Sequence, residues 1–328
     1  MNKHANKLIV VTGAAGFIGS ALLRQLNEEG FDQVIAVDDL GKSDKWRNLV
    51  GKRFVDLISK HHLFDWLGSH GNKVSAIFHL GACSSTVETD ANYLLENNYR
   101  YSLKLCEKAL KNDHRFIYAS SAATYGDGLR GFADDHMQLG HLAPLNMYGY
   151  SKHLFDLWLQ QNHLLDKVVG LKYFNVFGPN EQHKGRMASA ITHILPTAQK
   201  EGVIRLFKSS EPSKFSDGGQ MRDFIYVKDV VRMTSAFLNN TASGIFNIGT
   251  GNPGTWNEMA EGVFEALKKP AQIEYMEMPK DLMGKYQNYT CADLNKTTTA
   301  IGKLAVCRPF KESVVEYVRE YLLHNKLW

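Results

Sequence analysis

The sequence predicts an α/β protein whose larger part is a doubly wound parallel sheet and whose smaller part is a second α/β domain that binds substrate. Three observations predict it. Short apolar runs alternate with longer amphipathic stretches through the first half, the pattern of stacked βαβ units. A glycine turn at Gly13, Gly16 and Gly19 joins the first apolar run to the first amphipathic stretch. Past Asn175 the rhythm loosens into shorter elements broken by polar segments, as expected of chain that covers a ligand.

Taken in order, the strand candidates are residues 8–12, 33–37, 53–56, 74–79, 115–120 and 168–174. Each is followed by residues able to turn into a helix, so six strands are expected in the parallel sheet. Residues 222–231 and 244–248 also read as buried strand material, which implies that the chain returns to the first domain. The expected division is a dinucleotide-binding domain over 1–174, rejoined by 222–250, and a substrate-binding domain made of 175–221 and 251–328.

The turn itself reads Thr12-Gly13-Ala14-Ala15-Gly16-Phe17-Ile18-Gly19, with Leu22, Leu23 and Leu26 continuing at helical spacing. Glycines there permit a tight turn, close backbone approach to a pyrophosphate, and helix–sheet packing, while the helix N-terminus stabilises the anion. Asp38 closes the second strand candidate, where a carboxylate binds a ribose hydroxyl pair. This is a Rossmann-type fingerprint in its full context. A second glycine pair, Gly249 and Gly251, lacks both the third glycine and the downstream acid and reads as an ordinary turn. Asp38 alone favours NAD, whereas Lys42 and Lys45 just behind it suit a 2′-phosphate; spacing leaves the choice open.

Composition narrows the partners. The net charge of +4 comes from dispersed Lys and Arg, without the basic block that nucleic acid binding needs, and suits an anionic small molecule. Residues 1–7 are polar and the apolar segment that follows is too short for a secretion signal. No stretch is long enough to span a bilayer, so a soluble cytoplasmic protein is expected. Cys83, Cys106, Cys291 and Cys307 lie far apart without zinc spacing and read as reduced thiols, and no metal is expected.

Tyr148 and Lys152 stand four residues apart, on one face of a helix that Pro144 starts. An ammonium there favours the phenolate, drawing the tyrosine pKa down for proton transfer, and the lysine is able to hold the nicotinamide ribose. Ser121 falls at the carboxyl end of the fifth strand, where ligands bind in open α/β sheets, and its hydroxyl suits a reacting carbonyl or alcohol. Any one of these alone is an ordinary surface pair or a cap; beside a dinucleotide turn they form a catalytic set.

This combination resembles the extended short-chain dehydrogenase/reductase family, over nearly the whole chain. The runs HLGACSST (79–86), ASSAATYG (119–126), PLNMYGYSK (144–152), YFNVFGP (173–179), HKGRMAS (183–189), RDFIYV (222–227) and GKYQ (284–287) are similar to its nucleotide-sugar epimerases that act on an ADP-linked heptose. The resemblance implies inversion at C6, D-glycero to L-glycero, through a 6-keto intermediate in lipopolysaccharide core synthesis. It implies a tightly bound NADP, with NAD the alternative, and a homo-oligomer.

By the same matching the catalytic residues are Tyr148, Lys184, Lys152 and Ser121. Lys184 corresponds to a second base; read from its residues alone it is equally a phosphate ligand. Cofactor positions are Gly13, Gly16, Phe17, Ile18, Gly19, Asp38, Asp39, Lys45, Lys60, Leu80, Gly81, Ala82, Cys83, Ser84, Asn97, Lys152, Val176 and Lys184. Substrate positions are Ser121, Asn175, Arg186, His193, Phe207, Lys208, Ser209, Ser210, Arg222 and Tyr286. Arg186 departs from the pattern, standing where a small hydroxyl residue is expected.

Two other readings share the core motif. A 4-epimerase of the same family needs no Lys184, and a catalytically silent dinucleotide-binding regulator needs neither Tyr148 nor Lys152. A 4,6-dehydratase is disfavoured, because Ala122 and Ala123 stand where elimination of water calls for an acid.

Overall fold

The computed structural model describes residue 4 and residues 7–279 and 287–328. β1 (Leu8–Thr12), β2 (Val34–Asp38), β3 (Asp56–Ser59), β4 (Val74–His79), β5 (Arg115–Ser121) and β6 (Val168–Tyr173) follow one another along the first half. The chain then leaves the sheet through β7 (Asn175–Phe177), β8 (Ile204–Phe207), β9 (Met221–Arg222) and β10 (Phe224–Tyr226). It returns as β11 (Gly244–Ile248) and continues through β12 (Gly254–Thr255) and β13 (Ile273–Met276).

The central sheet runs β11-β6-β5-β4-β1-β2-β3 with every pair parallel. Its middle strands are buried on both faces, which is why they read as unbroken apolar runs rather than alternating ones. Leu22, Leu23 and Leu26 of the helix Phe17–Glu28 join Val230 and Val231 of the helix Val227–Ala236 in one apolar cluster. Leu63, Leu67, Leu105, Phe155 and Leu159, from three further helices, form another that also takes in sheet residues. A separate cluster gathers Ile191, Leu195, Ile204, Phe224, Val263, Phe264 and Val314. Strand order reverses between β1 and β4, so their carboxyl ends diverge into a crevice of the kind that takes ligands in this architecture.

Four sequence expectations need correction. Among the described residues the sheet has seven strands, since β11 pairs with β6. The third strand begins at Asp56 rather than at 53, because the Asn27 side chain takes both the N–H and the C=O of Arg53 (2.7 and 2.8 Å) and keeps them out of the ladder. Residues 222–231 are strand only as far as Tyr226; Val227 opens a helix. The helix carrying Tyr148 likewise starts at Met147, capped by the Asn146 side chain accepting from the Gly149 N–H at 2.8 Å, and not at Pro144.

Candidate active site

The glycine turn brings the sheet and its first helix as close as backbone allows. A Cβ on Gly19 would stand 2.0 Å from the Gly13 carbonyl oxygen, and Gly13, at φ +69°, would press a Cβ to within 2.7 Å of Gly81. Only glycine fits either position. The turn delivers the N-terminus of the helix Phe17–Glu28, whose first N–H groups have no intrahelical acceptor, to a cleft of about 470 Å³. Every residue assigned above to the cofactor lines that cleft, from Gly13 to Lys184. A helix end that attracts anions, a cradle with no room for side chains, and an acid at the end of β2 fit a nicotinamide dinucleotide.

Asp38 organises the adenosine end. One carboxylate oxygen accepts the Ala15 N–H at 2.8 Å, and the other accepts the Asp39 N–H at 2.7 Å and the Lys45 ammonium at 2.6 Å. Lys60 donates to Asn97 at 2.9 Å. Asn98, next along, accepts the Cys83 N–H and donates to the Cys83 carbonyl, both at 2.9 Å, and so pins the wall Leu80–Ser84. Asn98 sits in a single π-helical turn, Leu95–Arg100, a geometry frequent at functional sites.

Beneath this wall His79 is fully buried, paired with Thr12 at 2.7 Å and Ser102 at 2.8 Å. Burial, with the nearby Lys152 charge, pushes its pKa down to about 3, so it acts as a neutral strut between β1, β4 and the helix Tyr101–Lys111. Sequence reasoning overlooked it, as it did Thr12, Tyr93 and His183, which also line the cleft. The position of Thr12 immediately before Gly13 and of His183 beside Lys184 was the available signal.

Ser121, Tyr148 and Lys152 meet in the same cleft. The Ser121 hydroxyl caps the short turn after β5 by accepting the Ala123 N–H at 3.1 Å, and it hydrogen-bonds Tyr148. Lys152 donates to the Ala119 carbonyl at 2.9 Å, and burial lowers its pKa to about 8 against the opposing pull of Asp156. The expectation that Lys152 draws the Tyr148 pKa down is not met. Burial raises it, the Ser121 bond only partly offsets this, and the Lys152 amine is turned to a backbone carbonyl.

Lys184 reaches the cleft from the turn Gln182–Met187 and lies 5.5 Å over the Phe17 ring. Burial lowers its pKa while Glu181 pulls the other way. Glu181 is itself buried and ties the segment together, its carboxylate accepting from the Gly178 N–H and from the N–H and hydroxyl of Ser189. A lysine with a depressed pKa, held on a closed turn in a cleft, is suited to proton transfer.

Of the described residues assigned to substrate, only Ser121 lines the cleft. Asn175 is exposed at the start of β7 and accepts from Thr290 at 3.3 Å. Ser210 meets Asn288, and Arg222, buried in β9, donates to the Met221 carbonyl. Lys208 is exposed and paired with Glu277 at 2.6 Å, and the Ser209 N–H is held by Asp217. Phe207 ends β8, half-buried; Arg186, on the same turn as Lys184, and His193, on the helix Ala190–Lys200, are exposed. Tyr286 lies outside the described residues. Asn175, Ser210 and the β9 backbone all meet the segment 288–290, which pairs Met221 through both Asn288 and Thr290.

Among the described residues, no group of three or more His, Cys, Asp or Glu is arranged to hold a metal ion, and no helix is long and apolar enough to cross a membrane.

The model of the NAD dependent epimerase/dehydratase family matches residues 9–249. A protein of Nitratidesulfovibrio vulgaris named ADP-L-glycero-D-manno-heptose-6-epimerase is 49% identical over 319 residues, 96% of this chain and 98% of that protein. One of the same name from Fusobacterium nucleatum is 43% identical, over 96% and 98%. Among solved structures, the Helicobacter pylori ADP-L-glycero-D-manno-heptose-6-epimerase superposes with a TM-score of 0.78 at 26% identity, covering 98% of this chain and 96% of that one. A Thermotoga maritima UDP-glucose 4-epimerase with UDP-glucose reaches 0.75, also at 26%, over 96% and 99%.

Proposed function

Because this chain belongs to the NAD dependent epimerase/dehydratase family, we propose that it inverts C6 of the heptose in ADP-glycero-manno-heptose, D-glycero to L-glycero, in lipopolysaccharide core biosynthesis. The observation that carries this reading is that two proton-transfer groups from separate segments, Tyr148 and Lys184, line the same cleft as the glycine turn. Two such groups let each orientation of the ketone meet its own proton donor, whereas a 4-epimerase of the same family needs one. Relatives similar over nearly the whole chain carry the name of that activity.

When bound, a nicotinamide dinucleotide supplies a reversible hydride acceptor and, in oxidised form, a positive charge that favours the Tyr148 phenolate. We assign it as NADP, tightly held, on the strength of Lys45 and Lys60 beside the acids Asp38 and Asp39. The first-turn N–H groups of Phe17 and Ile18 hold its pyrophosphate. Tyr148 takes the proton from the C6 hydroxyl as the 6-keto intermediate forms, with Ser121 donating to the same oxygen. Lys152 holds the nicotinamide ribose. Lys184 gives a proton to the repositioned ketone as the opposite configuration forms, so no net oxidation occurs. Asn175, His193, Phe207–Ser210, Arg222, Arg186 and Tyr286 are assigned to the sugar and diphosphate. The cytoplasm and a homo-oligomeric assembly complete the reading, and light scattering checks the second.

The test is to incubate purified protein with each ADP-heptose epimer, adding no cofactor, and to follow C6 configuration by NMR. Interconversion in both directions is expected. No interconversion alongside turnover of a UDP-hexose would replace this reading with a 4-epimerase.

A further inference from the structure

We propose that Asp156 is a positioning residue for Lys152: it is the counter-charge that keeps the catalytic ammonium protonated inside the fold, and its strength is set by a second, fully buried lysine, Lys172. The inference rests on the reading of Lys152 given above.

Asp156 follows Lys152 by four residues on the helix Met147–Gln161, one turn further into the protein, and is wholly buried. Its carboxylate accepts the Tyr118 hydroxyl at 2.8 Å and the Ser120 hydroxyl at 2.7 Å, both from β5 just before Ser121. The Lys172 ammonium of β6 stands 3.3 Å away, as completely buried, and also donates to Thr124 and lies 4.6 Å over the Tyr125 ring. The carboxylate therefore pairs directly with Lys172 and stands one helical turn from Lys152, whose amine donates to Ala119 beside Ser120, and two hydroxyls fix its orientation.

The groups facing Lys152 are Asp156 and Tyr148 from its own helix, His79 from β4 and Cys83 from the loop after β4. His79 is neutral, and among the described residues Asp156 is the carboxylate that acts on the amine, from beyond ion-pair distance. Those facing Asp156, besides Tyr118, Ser120 and Lys172, are His153 on its own helix, His136 from the turn His136–His141, and Tyr125. Burial lowers the pKa of both histidines and raises that of Tyr125; it lowers that of Lys172 as well, but Asp156 and Asp134 pull the other way, and Lys172 is the cation paired with the carboxylate. Burial penalises the Lys152 ammonium and brings its pKa to about 8, so near neutral pH its charge depends on what Asp156 contributes. A buried ion pair is weak support for stability in itself, but its charge acts strongly on a neighbouring buried amine.

The experiment measures NADPH affinity by cofactor fluorescence, and kcat and kcat/KM on the heptose substrate, from neutral to alkaline pH. Asp156→Asn is expected to move the alkaline loss of affinity about one pH unit toward neutral, giving roughly tenfold weaker binding at pH values where the unaltered protein still holds its cofactor. Lys172→Met removes the competing cation and is expected to move it the other way. Tyr118→Phe removes a hydrogen bond to the same carboxylate but no charge, and leaves the midpoint in place. A uniform fall at every pH in Asp156→Asn, or the same shift in Tyr118→Phe, would overturn the proposal. If Asp156→Asn does not fold, an unmoved midpoint in Lys172→Met overturns it instead. Absence of heptose turnover in the unaltered protein would sink the assigned activity, while the binding midpoints would still report on Asp156.

Discussion

The Lys45 ammonium lies 2.6 Å from one oxygen of Asp38, whose other oxygen accepts the Ala15 N–H of the glycine turn. The acid at the end of β2 is thus spent on the fold and partly neutralised, so it repels a 2′-phosphate less than its position suggests. Replacing Lys45 by Met restores the full negative charge and removes a cationic donor. NADP affinity is expected to fall by about ten- to a hundredfold relative to NAD, the range for losing one charged hydrogen bond, as measured by fluorescence titration with both dinucleotides. Equal weakening of the two would show that Lys45 does not read the phosphate.

Gly19→Ala tests the close approach of helix and turn. Its Cβ would meet the Gly13 carbonyl, a backbone group that cannot swing away. A loss of about 1–3 kcal/mol in unfolding free energy is expected, with a larger fractional loss of cofactor affinity. Crystal or NMR evidence that the turn is undisturbed would contradict the packing argument.

Tyr148→Phe keeps the ring in the cleft and removes the proton-carrying oxygen. A fall in kcat of about 10²-fold or more is expected with cofactor retained. Lys184→Met is expected to act on kcat to a similar degree and to leave KM little changed. A rise in KM at near-normal kcat would make Lys184 a phosphate ligand instead of a base.

His79 makes stability sensitive to acid. Its folded pKa, about 3, lies below the ordinary 6.5, so the folded state binds fewer protons in that interval. Its contribution is complete above about pH 6.5 and is lost as pH falls through the interval. Between about pH 7 and about pH 5 the loss attributable to His79 is roughly 2 kcal/mol. Denaturant unfolding at the two pH values should show a shallower decline in His79→Gln than in the unaltered protein. His136 and His153, also depressed by burial, keep some slope in both.

The class of sheet, the glycine turn and the Tyr148–Lys152 spacing are legible along the chain, because each is a local pattern. Strands buried on both faces must be apolar throughout, a backbone squeezed against another needs glycine, and four residues make one helical turn. Every residue assigned to the cofactor lines one cleft, since those positions sit at strand ends that the topology brings together. The contacts that folding alone supplies join partners distant along the chain. Asn27 took the backbone of Arg53 and moved the start of β3, and the return of residues 244–248 beside β6 made a seventh strand. His79 proved a neutral strut, Tyr148 a partly buried phenol with a raised pKa, and Lys172 the partner of Asp156. Charge state and hydrogen-bond partner depend on burial and on which segments meet, and neither is carried by the spacing of residues along a chain.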